Sequence, residues 1–149
     1  MSDCRVMAAL TGAMAPILGR PRSARQSKNA VVWGGSSPYP DGQTAPCWVE
    51  ISHDGRYLFT VNTGSTTISS YTIQVDGSLI YSSTTPFKSG PGIRPFDARL
   101  DPAGNNLYVV DAAIGSVSAF AVSGGTLSEQ AQSPFALPSD ARPFGIAVN

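Results

Sequence analysis

The chain has 149 residues, 42% apolar and 13% charged, with ten basic side chains balanced by ten acidic ones. So sparse and balanced a charge argues against a nucleic-acid groove, and a single histidine with no Cys/His cluster at ligand spacing argues against a zinc centre. No phosphate-cradling glycine motif is present, so neither a metal nor a cofactor is expected.

The neutrality hides a split. Residues 1–30 carry Arg5, Arg20, Arg22, Arg25 and Lys28 against Asp3, whereas the rest of the chain is net acidic. Val6–Leu18 is apolar but too short to cross a bilayer, which needs about 20 apolar residues. Asp3 and the Arg20-Pro21-Arg22 run also spoil it as a secretory signal. Residues 1–30 read as a disordered basic segment foreign to the rest of the chain, a targeting sequence, or the product of a displaced start codon; no membrane attachment is expected, and the composition fixes no compartment.

From residue 31 onward the chain repeats itself. Pro46-Cys47-Trp48-Val49-Glu50-Ile51 returns as Pro95-Phe96-Asp97-Ala98-Arg99-Leu100 and again from Pro143-Phe144-Gly145 to Asn149. Pro38, Pro86 and Pro134 mark a second register, each between a hydroxyl residue and an aromatic. Within one unit, Cys47–Ser52 alternates, Tyr57–Asn62 is apolar and aromatic, Thr66–Gln74 alternates, and Leu79–Thr85 is β-branched and polar. Asp54-Gly55 and Asp76-Gly77 supply turns between these runs. A period in the forties with four short strands and no amphipathic helix is the pattern of propeller blades. The expected fold is all-β, with blades of four antiparallel strands in an incomplete ring: two full blades at 31–149 plus partial ones, an outer strand before residue 40 and an inner strand at Arg142–Asn149. Such a layout is that of the C-terminal part of a longer propeller.

The block Pro46 to Asn62, with its looser copy Pro95 to Asp111, resembles the lactonase-type seven-bladed β-propellers, a family that includes 6-phosphogluconolactonases and carboxymuconate cyclases and shares this block with YVTN-repeat propellers. The resemblance implies hydrolysis or formation of a small lactone at the channel mouth, with an anionic or sugar-derived ligand. It also brings departures. Family members open the inner strand with Gly-Pro-Arg-His and follow the Asn of strand 2 with an acid, whereas this chain has Pro46-Cys47-Trp48, Pro95-Phe96-Asp97 and Asn62-Thr63. A non-catalytic scaffold binding a protein or small ligand, or a remnant of a longer gene, are the alternatives.

In a propeller, the connections leading into the inner strands and those between strands 2 and 3 share one rim. That rim is expected to carry Asp41, Asn62, Arg94, Asp97, Asp111 and Arg142. Arg94 and Arg142 are equivalent by repeat and suit an anion; Asp97 stands where the family has its histidine, and Arg94 and Asp97 are the catalytic candidates. Asn62, Asp111, Arg142 and Asp41 are the ligand-binding candidates. His53 falls in a turn on the far rim, and Glu50 and Arg99, one repeat apart, are placed to pair between blades. Trp48, Tyr57, Phe59, Tyr71, Phe96 and Phe120 read as packing, and Cys47 as a small buried residue, with nothing to support a disulfide to Cys4. Association of several copies to complete the ring is a further expectation.

Overall fold

The computed structural model describes residues 39–149. The expectations for residues 1–30, for Cys4, for Pro38 and for an outer strand ahead of residue 39 fall outside them. Among the described residues there are nine strands and no helix.

The first sheet takes its strands in chain order: β1 (Pro46–Ile51), β2 (Tyr57–Asn62), β3 (Thr67–Ile73) and β4 (Leu79–Pro86), all antiparallel. The second repeats it with β5 (Pro95–Leu100), β6 (Asn106–Asp111), β7 (Ser116–Ser123) and β8 (Thr126–Glu129). A two-residue β9 (Phe135–Ala136) pairs the start of β7 and completes the outer strand. These are two four-stranded propeller blades, and their boundaries fall where alternation gives way to turn residues. The Ser52–Gly55 turn closes with Gly55 N–H on the Ser52 carbonyl at 2.8 Å, and its left-handed Gly55 (φ 71°) is the conformation glycine adopts without strain.

The period-two alternation sends one face of the first sheet against the second. Phe59, Val61 and Ile68 meet Ala98, Leu100, Leu107, Val109, Phe120 and Leu127, with Phe87 and Ile93 of the connecting segment sealing the layer. Phe59 and Phe120 are completely buried, and Phe87 meets Phe120 edge-on with centroids 5.0 Å apart. Trp48 and Tyr57 pack on the margin of this layer, and Tyr71 is buried with its ring edge-on to Tyr81. At Gly125 a Cβ would run into the Tyr57 ring, so the turn of the second blade needs glycine to receive the aromatic of the first. Glu50 and Arg99 do pair, at 3.0 Å, and Glu50 also accepts the Leu100 amide at 3.3 Å. His53 lies in its turn, with its ring against Gly104 in the corresponding turn of the next blade.

The third copy of the inner strand departs from expectation. Residues 141–149 form no strand. Both β1 and β5 are held by a strand 2 of their own blade, and Arg142–Asn149 has no such partner among the described residues.

Candidate functional site

The chain ahead of each inner strand lies beside the connection between strands 2 and 3 of the same blade. Thr63 N–H donates to the Ala45 carbonyl at 2.9 Å, and Ala112 N–H to the Arg94 carbonyl at 3.2 Å. Ala45 and Arg94, equivalent by repeat, both adopt a left-handed backbone (φ 51° and 54°), a conformation costing a non-glycine residue of order 1–3 kcal/mol. The expected common rim therefore exists, and Thr63 Oγ1 bridges the blades across it by donating to the Pro95 carbonyl at 2.5 Å.

On this rim a shallow cavity of about 250 Å³ opens between the second blade and the following segment. Arg94, Phe96, Ala112 and Ala113 form one wall, and Arg142, Pro143 and Phe144 the other. The Phe96 and Phe144 rings stand 5.1 Å apart, tilted by 35°. The Arg94 guanidinium lies over Phe96, 5.6 Å from its centroid, which holds the charge beside the apolar wall of the cavity. Arg142 donates to the Ala141 carbonyl at 2.9 Å. The two repeat-equivalent arginines thus converge on one cavity.

The other rim candidates do not join them. Asp97 is buried, 9% exposed, and is not among the residues that line the cavity. Its Oδ2 accepts the Ile146 amide at 2.9 Å, and its Oδ1 is buried without a partner. Asp41 accepts from Ser69 Oγ at 2.6 Å and from the Gln43 amide at 2.9 Å, lying against β3. Asn62 and Asp111 are fully buried at the ends of β2 and β6. Asn62 donates to Ser69 Oγ at 2.9 Å and to Thr67 Oγ1 at 3.2 Å. Asp111 accepts from Ser118 Oγ at 2.7 Å and from Ser116 Oγ at 3.2 Å. Burial pushes the Asp111 carboxyl up to about 6; the two serine hydroxyls pull it back, and the charge of Glu129 adds a small push.

The sequence pattern assigns Phe96 to packing and does not single out Phe144, Ala112 or Ala113 as lining. The signal is nonetheless present, because Phe96 and Phe144 occupy the same repeat position, two residues after Arg94 and Arg142. Among the described residues no group of three or more His, Cys, Asp or Glu is placed to hold a metal ion.

Four-stranded blades joined through a rim that gathers two arginines define blades of a β-propeller. The chain belongs to the lactonase, 7-bladed beta-propeller family, whose model matches residues 26–143. A Bacteroides uniformis structure provisionally named a 6-phosphogluconolactonase superposes with a TM-score of 0.58 at 18% identity, over 64% of this chain and 27% of that one. A Bacteroides fragilis structure with the same provisional name gives 0.55 at 23%, over 74% and 33%. The periplasmic gluconolactonase of Pseudomonas aeruginosa gives 0.51 at 25%, over 65% and 28%. The chain therefore spans about 30% of the length of these proteins. No curated protein matches it significantly.

Proposed function

We propose that this chain forms the anion-holding part of a lactonase-type propeller mouth, acting on a small lactone that carries a carboxylate or phosphate. The observation that carries the reading is the convergence of Arg94 and Arg142 on one cavity. A guanidinium presents donors in a rigid fork that suits both anions, and the phenylalanine pair supplies an apolar wall for a ring. Ring opening adds water to the lactone carbonyl, breaks the ring C–O bond and leaves the proton on the former ring oxygen. Arg142 would hold the substrate's anionic group, and Arg94, across the cavity, would stabilise the charge that develops on the carbonyl oxygen.

The test compares a charged and an uncharged lactone. Opening of 6-phosphogluconolactone and of glucono-δ-lactone is followed by pH-stat above the spontaneous rate. Light scattering on the same sample identifies whether the active species is one chain or a ring-completing oligomer. Arg142→Ala is expected to raise KM for the phosphorylated lactone about tenfold, the loss of one charge-assisted contact, while moving the uncharged one little. Arg94→Ala is expected to lower kcat for both. Equal rates and KM values in wild type and both variants, for both lactones, would overturn the roles. A second reading is favoured by the lining itself, which carries arginines but no carboxylate or imidazole: a scaffold that binds the anion without turning it over. Saturable 6-phosphogluconate binding with no turnover selects that reading.

A further inference from the structure

Arg142 and Phe144 help to wall the cavity, yet the segment that carries them pairs with no strand among the described residues. Phe144 is 73% exposed, so packing alone does not fix its ring opposite Phe96. One side chain of the second blade reaches across: Asp97 accepts the Ile146 amide at 2.9 Å. The approach is matched on the other side, because a Cβ on Gly145 would come within 3.3 Å of Asp97 Oδ2, closer than most real contacts. The repeat makes this pairing specific. The position that is Trp48 in the first copy and Asp97 in the second is Gly145 in the third, so the carboxylate and the space that admits it occupy equivalent places on adjacent copies.

We infer that Asp97 is a positioning residue: its carboxylate latches the Arg142–Ile146 segment against the second blade and so sets the spacing of the two arginines. This deepens the reading of the cavity as an anion site, and rests on it for the ligand. Asp97 is not part of the cavity lining, and its effect is transmitted through the Ile146 amide. A buried carboxylate hydrogen-bonded to a backbone amide makes a shorter and stronger contact than a neutral acceptor, and a segment outside any sheet has few others to replace it.

Hydrogen exchange and binding read the latch separately. Exchange is followed by mass spectrometry on peptides covering 142–149 and, as control, β6 and β7. Binding is followed by titration calorimetry with 6-phosphogluconate as the probe. Asp97→Ala is expected to speed exchange in 142–149 and leave β6 and β7 unchanged. It should weaken the probe about tenfold, and the double variant with Arg142→Ala should bind no more weakly than Arg142→Ala alone. Asp97→Asn keeps a carbonyl acceptor and should restore most of the protection and of the affinity. Gly145→Ala tests the latch from the opposite side with Asp97 left in place, and should raise exchange in the same peptide. Unchanged exchange in 142–149 for both Asp97→Ala and Gly145→Ala overturns the latch, as does a binding loss that adds to that of Arg142→Ala. If wild type does not bind the probe, the anion reading fails while the exchange comparison still decides the latch.

Discussion

In the first blade the hydroxyl of Ser69 donates to Asp41, which arrives from the segment ahead of β1; in the second, the equivalent Ser118 donates to Asp111 at the end of β6. The two blades therefore bring a carboxylate to the same serine from different parts of the chain. The segment ahead of β5, residues 88–94, contains no acid, and strand 2 supplies it instead, with Asp111 where the first blade has Asn62. The hydrogen bonds run in opposite directions as a result. Asn62 donates to Ser69 and Thr67, leaving those hydroxyls to donate onward to Asp41 and Gln43. Asp111 can only accept when ionised, and both Ser116 and Ser118 turn their protons to it. What the repeat preserves is a polar cluster at the end of the second strand, not the residue that organises it.

Exchanging the two residues breaks the comparison unequally. Asn62→Asp places a second carboxylate where both hydroxyl protons are already committed elsewhere. A buried charge left uncompensated costs about 3–5 kcal/mol. Urea unfolding at pH 7.5 should show a loss of that size, shrinking at pH 5 as the new carboxyl takes up a proton. A change below about 1 kcal/mol would mean that the cluster rearranges freely, and that the direction of its hydrogen bonds is not fixed.

The reverse exchange is expected to stabilise. The Asp111 carboxyl is raised from 3.8 to about 6 by burial, so between those pH values the folded chain holds a proton that the unfolded chain releases. Stability then falls as pH rises through that window, and the loss is complete above pH 6, amounting to at most about 3 kcal/mol at 1.36 kcal/mol per unit. Asp111→Asn removes this dependence. The difference in unfolding free energy between variant and wild type should be largest at pH 7–8, favouring the variant, and should fall toward pH 4. A difference that does not vary with pH would show that Asp111 is ionised in the folded chain across the range.

The blades themselves are legible in the sequence because each strand is short, alternating and bounded by turn residues: Tyr57–Asn62 is read from sequence and found unchanged. Less legible is the outer edge of the second blade. There the hairpin between β7 and β8 closes over two glycines, Gly124 and Gly125, and the surplus residues bulge between Glu129 and Phe135. Ser133 fills that bulge, accepting the Ala119 amide and donating to Glu129, an arrangement that no local pattern announces. At the site, repeat equivalence is enough to pair Arg94 with Arg142. It is not enough to separate Asp97 from them, because neighbouring residues on one strand face opposite ways and the irregular pairing between Pro95 and Ala98 decides which way each side chain turns. The inner strand expected at Arg142–Asn149 is not formed for a physical reason as well: alternation makes a segment fit for a sheet, but only a partner's amides and carbonyls make it a strand, and none pairs with it among the described residues.

The smallest effect belongs to the ion pair that joins the blades. Glu50 and Arg99 sit at equivalent positions with opposite charge, so the repeat has made a contact out of a single difference between copies. The Arg99 side chain is 46% exposed and Glu50 14%, so solvent screens the pair and each partner keeps other contacts. Arg99 lies over the Trp48 ring at 5.5 Å, and Glu50 holds the Leu100 amide. A double-mutant cycle with Glu50→Gln and Arg99→Gln should therefore return a coupling of about 0.2–1 kcal/mol at low salt, falling as salt rises. The single variants separate the contacts further. Glu50→Gln retains an acceptor for Leu100, whereas Arg99→Gln also strips the cover from Trp48, and its larger loss would appear together with a red shift of the Trp48 emission, read with Trp33→Phe in both proteins compared. A coupling above about 2 kcal/mol would mean that the interblade seam excludes water, and that charge as well as the Phe59–Phe120 layer sets how the two blades dock.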